Sequence, residues 1–213
     1  MIPFSSEPKS LLNHNGRSIA SFDIVGPNLD EEIVGSFGAE WKRFDWFSDA
    51  AIEVAGTEYF DIVPKELLAT VGHALDAGCG SGRWSRYLST RVGFVESIDP
   101  SEAVLSASEL NRDRPNVRVT RASIDTIPFA DGSFDFAICL GVIHHLPDPA
   151  LALLAPAGLV LRLSVPPGRQ SRVWRSCPGM WVQASLPYQL SAVRNCAVSG
   201  SCEAIIKSML PTT

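Results

Sequence analysis

Apolar positions between residues 67 and 165 gather into short runs, each closed by glycine, proline or an acidic turn. Val71 to Leu75, Val92 to Asp99 and Asn116 to Arg121 read as strands. So does the apolar run from Phe136, continuous enough to be buried on both faces before the polar turn His144-His145-Leu146-Pro147-Asp148-Pro149. Gly158 to Val165 can supply a fifth strand, and Gly82 to Leu88 reads as the opening of a helix. Strands alternating with helices predict an α/β core over residues 67–165.

The first strand runs into Leu75-Asp76-Ala77-Gly78-Cys79-Gly80-Ser81-Gly82. Three glycines at alternate positions after an acid allow a tight turn and a close approach of bare backbone to a ligand. Strand, glycine loop and helix place a nucleotide-like ligand at the carboxyl end of a parallel sheet. A dinucleotide fingerprint puts glycine at the first, third and sixth positions, and here the sixth is Arg83. Gly78-x-Gly80-x-Gly82 suits a ligand without a pyrophosphate, such as an adenosyl sulfonium amino acid. The second strand ends on Asp99, about twenty residues beyond the loop, where an acid can accept ribose hydroxyls.

LDAGCGSG, then SIDP, then ASIDTIPFADGSFDFAICLGVIHHLPDP resemble the class I S-adenosylmethionine-dependent methyltransferases, and within them the small-molecule "type 11" group. The resemblance covers about residues 75–149, with a weaker echo from 37 to 64. It implies a Rossmann-like sheet with helices on both faces, S-adenosylmethionine as cofactor and methyl transfer to a small-molecule acceptor. Asp76, Ala77, Gly78 and Gly80 match the loop under the methionine part of the cofactor, and Asp76 heads it. Asp99 matches the ribose-binding acid. Ser123 and Ile124 match the pair that faces the adenine. Many relatives have Asp where Ser123 stands, so Asp125 is a second candidate for that contact. Leu140, with Gly141, matches the end of the fourth strand beside the transferred methyl.

The resemblance divides the chain into three. Residues 1–66 are irregular to about Val34 and then rich in aromatics, among them Phe37, Trp41, Trp46 and Phe47. Such a segment either covers the cofactor cleft or docks as an aromatic helix on the core. Residues 67–165 are the cofactor-binding core. In the divergent tail, residues 166–213, no pair of final strands is read. The helix after Asp148-Pro149 is reduced to Ala150–Ala155, so the sheet is expected to be incomplete at its C-terminal edge.

Composition narrows the alternatives. A net charge of −5 argues against a general nucleic-acid surface. The longest apolar run, Leu151 to Leu161, is too short for a membrane span and contains Pro156 and Gly158. The first residues lack the basic-then-apolar pattern of a signal peptide. Five cysteines without a CxxC pair suit reduced thiols and a cytoplasmic protein. No metal-ligand spacing surrounds His144 and His145. These histidines read either as a structural turn or as a proton acceptor for the substrate. No other catalytic side chain is legible. Two further readings stand beside a methyltransferase. One is a degenerate cofactor-binding or scaffold module without activity. The other is a nicotinamide oxidoreductase, against which Arg83 argues.

Overall fold

The computed structural model describes residues 1–43, 47–61, 63–142, 145–147, 159–162, 171–177 and 180–185. In chain order its strands are β1 (Ser10–His14), β2 (Arg17–Ser21), β3 (His73–Ala77), β4 (Phe94–Asp99), β5 (Val117–Arg121), β6 (Phe136–Ile138), β7 (Leu159–Arg162), β8 (Ser171–Cys177) and β9 (Met180–Ser185). Its helices are α1 (Glu31–Arg43), α2 (Asp49–Tyr59), α3 (Lys65–Leu68), α4 (Arg83–Ser89) and α5 (Ala103–Leu110).

The strands lie in the order β1-β2-β5-β4-β3-β6-β7-β9-β8. From β5 to β7 all neighbours are parallel. The chain builds outward from β3 through β4 to β5, then crosses back to place β6 on the other side of β3. This reversal is the switch point at which doubly wound sheets open a crevice beyond the carboxyl ends of their strands. The Rossmann-like expectation therefore holds for the parallel sheet from β5 to β7.

Two clusters of buried side chains flank the sheet. One joins Ile52, Phe60, Trp84, Leu88 and Val104 from α2, α4, α5 and the loop after α2 to Val95, Val119 and Phe136. The other joins Leu75, Ala77 and Ile98 to Phe22, Phe129 and Phe134, with Ile2 and Phe4 packed against it. Residue 56 matters to the first cluster. A Cβ on Gly56 would lie 2.1 Å from the Tyr87 ring, so only glycine lets α2 approach α4 this closely. On the second face Glu96, fully buried in β4, accepts hydrogen bonds from Arg118 Nε at 2.7 Å and Nη2 at 2.6 Å. The guanidinium stacks 4.2 Å from the centre of Phe4 and also donates to the Ile2 carbonyl. The amino-terminal arm is thus pinned across the sheet.

Two parts of the sheet depart from the sequence reading. Residues 10–21, read as irregular, form a hairpin whose second strand pairs in parallel with β5. Its turn is Asn15-Gly16, with φ of 48° and 78°. Asn-Gly is a strong two-residue hairpin signal because both central positions need positive φ. In the tail, β8 and β9 pair antiparallel and β9 pairs with β7, where no final strands were read. The signal there was Pro178-Gly179 between two runs carrying Val, Trp and Met. The expected helix from Ala150 to Ala155 and the stretch after Ser185 lie outside the described residues.

Candidate functional site

Gly78, Gly80 and Gly82 all have positive φ (76°, 52° and 79°), which shapes the loop into a turn that L side chains resist. The loop is tied to β4. Gly78 N and Cys79 N both donate to Ile98 O, at 2.8 and 2.9 Å, and Gly80 N donates to Asp99 Oδ2 at 2.9 Å. The third glycine serves packing instead. A Cβ on Gly82 would lie 2.7 Å from Asn111 Nδ2 and 2.9 Å from Ala107 Cβ, so its bareness seats α4 against α5.

Beyond the carboxyl ends of β3, β4, β5 and β6 opens a cavity of about 960 Å³, including its mouth. Six of the eight candidate residues line it: Gly78, Gly80, Asp99, Ser123, Ile124 and Leu140. Asp76 and Ala77 do not. Both are fully buried beneath the loop, as expected for the end of a central strand. Asp76 Oδ2 accepts from Ser85 Oγ at 2.6 Å, and Ser97 Oγ donates to Ser85 Oγ at 2.7 Å. The other oxygen, Oδ1, has no hydrogen-bond partner. Burial, only partly offset by the Ser85 hydrogen bond, pushes the Asp76 carboxyl up to about 7.

Asp99 is more heavily engaged than its expected role allows for. Besides Gly80 N, it receives Ser101 N and Ser101 Oγ on Oδ1, at 2.9 and 2.6 Å. A carboxylate offers about four acceptor positions. Three are filled, so two ribose hydroxyls fit only if the Ser101 hydroxyl turns away. Ser123 Oγ accepts from Asp125 N at 3.2 Å, capping the short 3₁₀ turn at Ile124–Thr126. Asp125, the second candidate for the adenine, does not line the cavity. Its carboxylate instead holds Asn28, accepting the backbone N–H on Oδ2 and Nδ2 on Oδ1, both at 2.9 Å.

Sequence reasoning missed two features of the wall, Asn28 and Arg83, and left a third open, the aromatic segment around Phe37 and Trp41. Asn28 lines the cavity beside Ser123 and Ile124. The helix α1 closes one side with Ile33, Val34, Phe37 and Trp41, an apolar stripe at helical spacing. Its entry signal was Asp30, whose Oδ1 accepts from Ile33 N at 3.0 Å. Arg83 lines the wall next to the glycine loop. Two side chains stand over the bare backbone: a Cβ on Gly78 would lie 2.3 Å from Val142 Cγ2, and one on Gly80 would lie 3.0 Å from Trp41 Nε1. His145 also lines the cavity, with its ring edge-on to Phe37 at 4.8 Å. His144 lies outside the described residues.

Residues 75–159, from the loop through β7, match a family described as "Methyltransferase domain" (Methyltransf_11). The matched segment spans the switch point and every one of the eight candidate positions. That stretch is similar to a methyltransferase domain. Among curated relatives of this domain, a ubiquinone biosynthesis O-methyltransferase of Marinobacter nauticus is 35% identical over 146 residues, covering 62% of this chain and 59% of the relative. A protein of the same name from Hahella chejuensis is 37% identical over 100 residues, 46% of this chain and 42% of the relative. The chain thus spans about three fifths or less of the length of these relatives. A crystal structure of a SAM-dependent methyltransferase from Aquifex aeolicus is 28% identical, covers 55% of this chain and 64% of that one, and has a TM-score of 0.45. Among the described residues the chain carries no cluster of three or more potential metal ligands, and none of the described helices is long and apolar enough to cross a membrane.

Proposed function

We propose that this chain binds S-adenosylmethionine in the cavity beyond β3, β4, β5 and β6 and transfers its methyl group to a hydroxyl of a small-molecule acceptor. The observation that carries the reading is the joining of the glycine loop to Asp99 through Gly80 N–H at 2.9 Å, on the wall of a cavity at the switch point. The residues fit the cofactor. Gly78 and Gly80 offer bare backbone at positive φ, Asp99 has an acceptor position left for a ribose hydroxyl, and Asp76 Oδ1 beneath the loop is an unmet acceptor. In this reading Ser123 and Ile124 face the adenine and Leu140 flanks the reacting end.

When bound, the cofactor supplies a sulfonium methyl already activated for in-line displacement. What remains for the protein is alignment and exclusion of water, which can contribute roughly 7–11 kcal/mol. Ile33, Val34, Phe37, Val142 and Leu146 give the cavity an apolar side suited to both tasks and to an acceptor with an apolar body. The relatives' names support a hydroxyl as the group methylated. The buried free thiols of Cys79 and Cys139 support a cytoplasmic setting, and the net charge of −5 supports a small-molecule rather than a nucleic-acid acceptor.

Calorimetry of the full chain with S-adenosylmethionine, S-adenosylhomocysteine and NAD tests the cofactor. Binding of the first two and not the third is expected, and preference for NAD would overturn it. Turnover on phenolic acceptors tests the activity. Cofactor binding without turnover across a broad acceptor panel would favour a binding module instead.

A further inference from the structure

Arg83 stands where a dinucleotide loop has its third glycine, and the proposed cofactor roles above leave it unused. Its guanidinium lies over three aromatic rings, 4.6 Å from the centre of Trp84, 5.3 Å from Trp41 and 5.6 Å from Phe47. Such a cage holds a guanidinium in place and withdraws it from water. Desolvation pulls its pKa below the usual arginine value, outweighing the smaller opposing pull of Tyr59 and Asp76. Among the described residues Arg83 has no ion pair and donates no hydrogen bond. The one acid named by its electrostatics, Asp76, is fully buried under the loop and makes no hydrogen bond or ion pair with it. Arg86, Arg91, Arg112, Arg114 and Arg118, by contrast, are each paired with a carboxylate. A half-buried cation without a counter-ion, on a cavity wall, is a receptor for an anion.

We propose that Arg83 is the carboxylate receptor of the site, binding the α-carboxylate at the amino-acid end of S-adenosylmethionine. This rests on the cofactor reading above and adds to it the residue that holds the cofactor's anionic end. Position favours the cofactor over the acceptor as the source of the carboxylate. Arg83 follows directly on the loop under which the methionine part would pass, and Trp41 touches both sides, standing over Gly80 and stacking on Arg83. The aromatic cage fixes the direction of the fork, so the cation is oriented before the ligand arrives.

The test compares two ligands that share the adenosine and differ in the carboxylate. S-adenosylhomocysteine carries the amino acid, whereas 5′-methylthioadenosine ends in a neutral thioether. Affinities are measured by calorimetry on the full chain, wild type against Arg83→Gln, which keeps a planar polar end but removes the charge, and Arg83→Lys, which keeps charge. For Arg83→Gln we expect a loss of about ten- to a hundred-fold in S-adenosylhomocysteine affinity, as for a charge-assisted hydrogen bond, with methylthioadenosine unchanged. Arg83→Lys should fall between. An unchanged ratio of the two affinities in Arg83→Gln overturns the assignment, whether both affinities hold or both fall together, the latter marking a purely structural cage. If the wild-type chain binds neither ligand, the cofactor reading fails first and takes this inference with it.

Discussion

Gly80 donates its backbone N–H to Asp99 Oδ2 at 2.9 Å, so the glycine loop and the acid at the end of the neighbouring strand are one unit. The loop's shape therefore depends on a side chain nineteen residues away. Asp99→Ala removes a ribose acceptor and releases the loop together. We expect S-adenosylhomocysteine affinity to fall at least ten- to a hundred-fold, in line with about 1.5–3 kcal/mol for a hydrogen bond to a charged group. Asp99→Asn, which can still accept from Gly80, should lose less. Calorimetry on both variants checks the order, and equal affinity in Asp99→Ala and wild type would remove Asp99 from the site.

The bare backbone of the loop gives a second expectation. Gly80→Val adds a β-branched side chain at φ 52°, where Trp41 Nε1 already stands 3.0 Å from the Cβ position. Cofactor binding should drop sharply while far-ultraviolet circular dichroism stays native. Tight binding by this variant would show that the cofactor does not pass over Gly80.

Asn28 should contribute to recognition of the base. Asn28 donates Nδ2 to Asp125 Oδ1 and lines the cavity beside Ser123 and Ile124, the pair proposed to face the adenine. Asn28→Ala is expected to narrow the preference for adenosine over purine riboside by about tenfold. Competition binding with the two nucleosides measures the ratio, and an unaltered ratio would confine Asn28 to a structural role.

Asp76 makes a pH-dependent contribution to stability. Its folded pKa, about 7, lies above the ordinary 3.8 because burial disfavours the carboxylate. The folded state then holds a proton that the unfolded state releases between about pH 4 and about 7. Stability from this group is full below about pH 4 and is lost as pH rises through about 7. Asp76→Asn removes the dependence, so the variant should gain on wild type across that window and the gap should level off above it. Urea unfolding at several pH values follows the difference. A gap that is constant with pH would mean Asp76 folds ionised.

The buried Glu96–Arg118 pair should be costly to break from one side. Arg118→Ala leaves a carboxylate in the core and strips the cation from Phe4, with an expected loss of about 3–5 kcal/mol. Replacing both partners by Met should recover most of it. Chemical denaturation of the three variants tests this, and a single variant as stable as wild type would show that the pair is solvated.

The alternation of short apolar runs with a glycine loop was enough to place β3 to β7, because parallel strands buried on both faces write themselves as continuous hydrophobic segments. The same local pattern singled out Gly78, Gly80 and Asp99, since strand ends and tight turns are set by neighbours in sequence, whereas Ser123, Ile124 and Leu140 came from the family resemblance; all six stand on the cavity wall. The hairpin of β1 and β2 was legible in Asn15-Gly16. Residues brought together from distant parts of the chain were not legible. Asn28 meets Asp125 across ninety-seven positions, and Trp41 meets Arg83 and Gly80 across about forty. Nothing local distinguishes an asparagine that lines a cavity from one in a turn, or an arginine in an aromatic cage from one on a helix surface. Gly82 shows the same limit. Its place in the loop suggested a ligand, whereas its reason is the approach of α5, a packing constraint that exists only once the two helices have met.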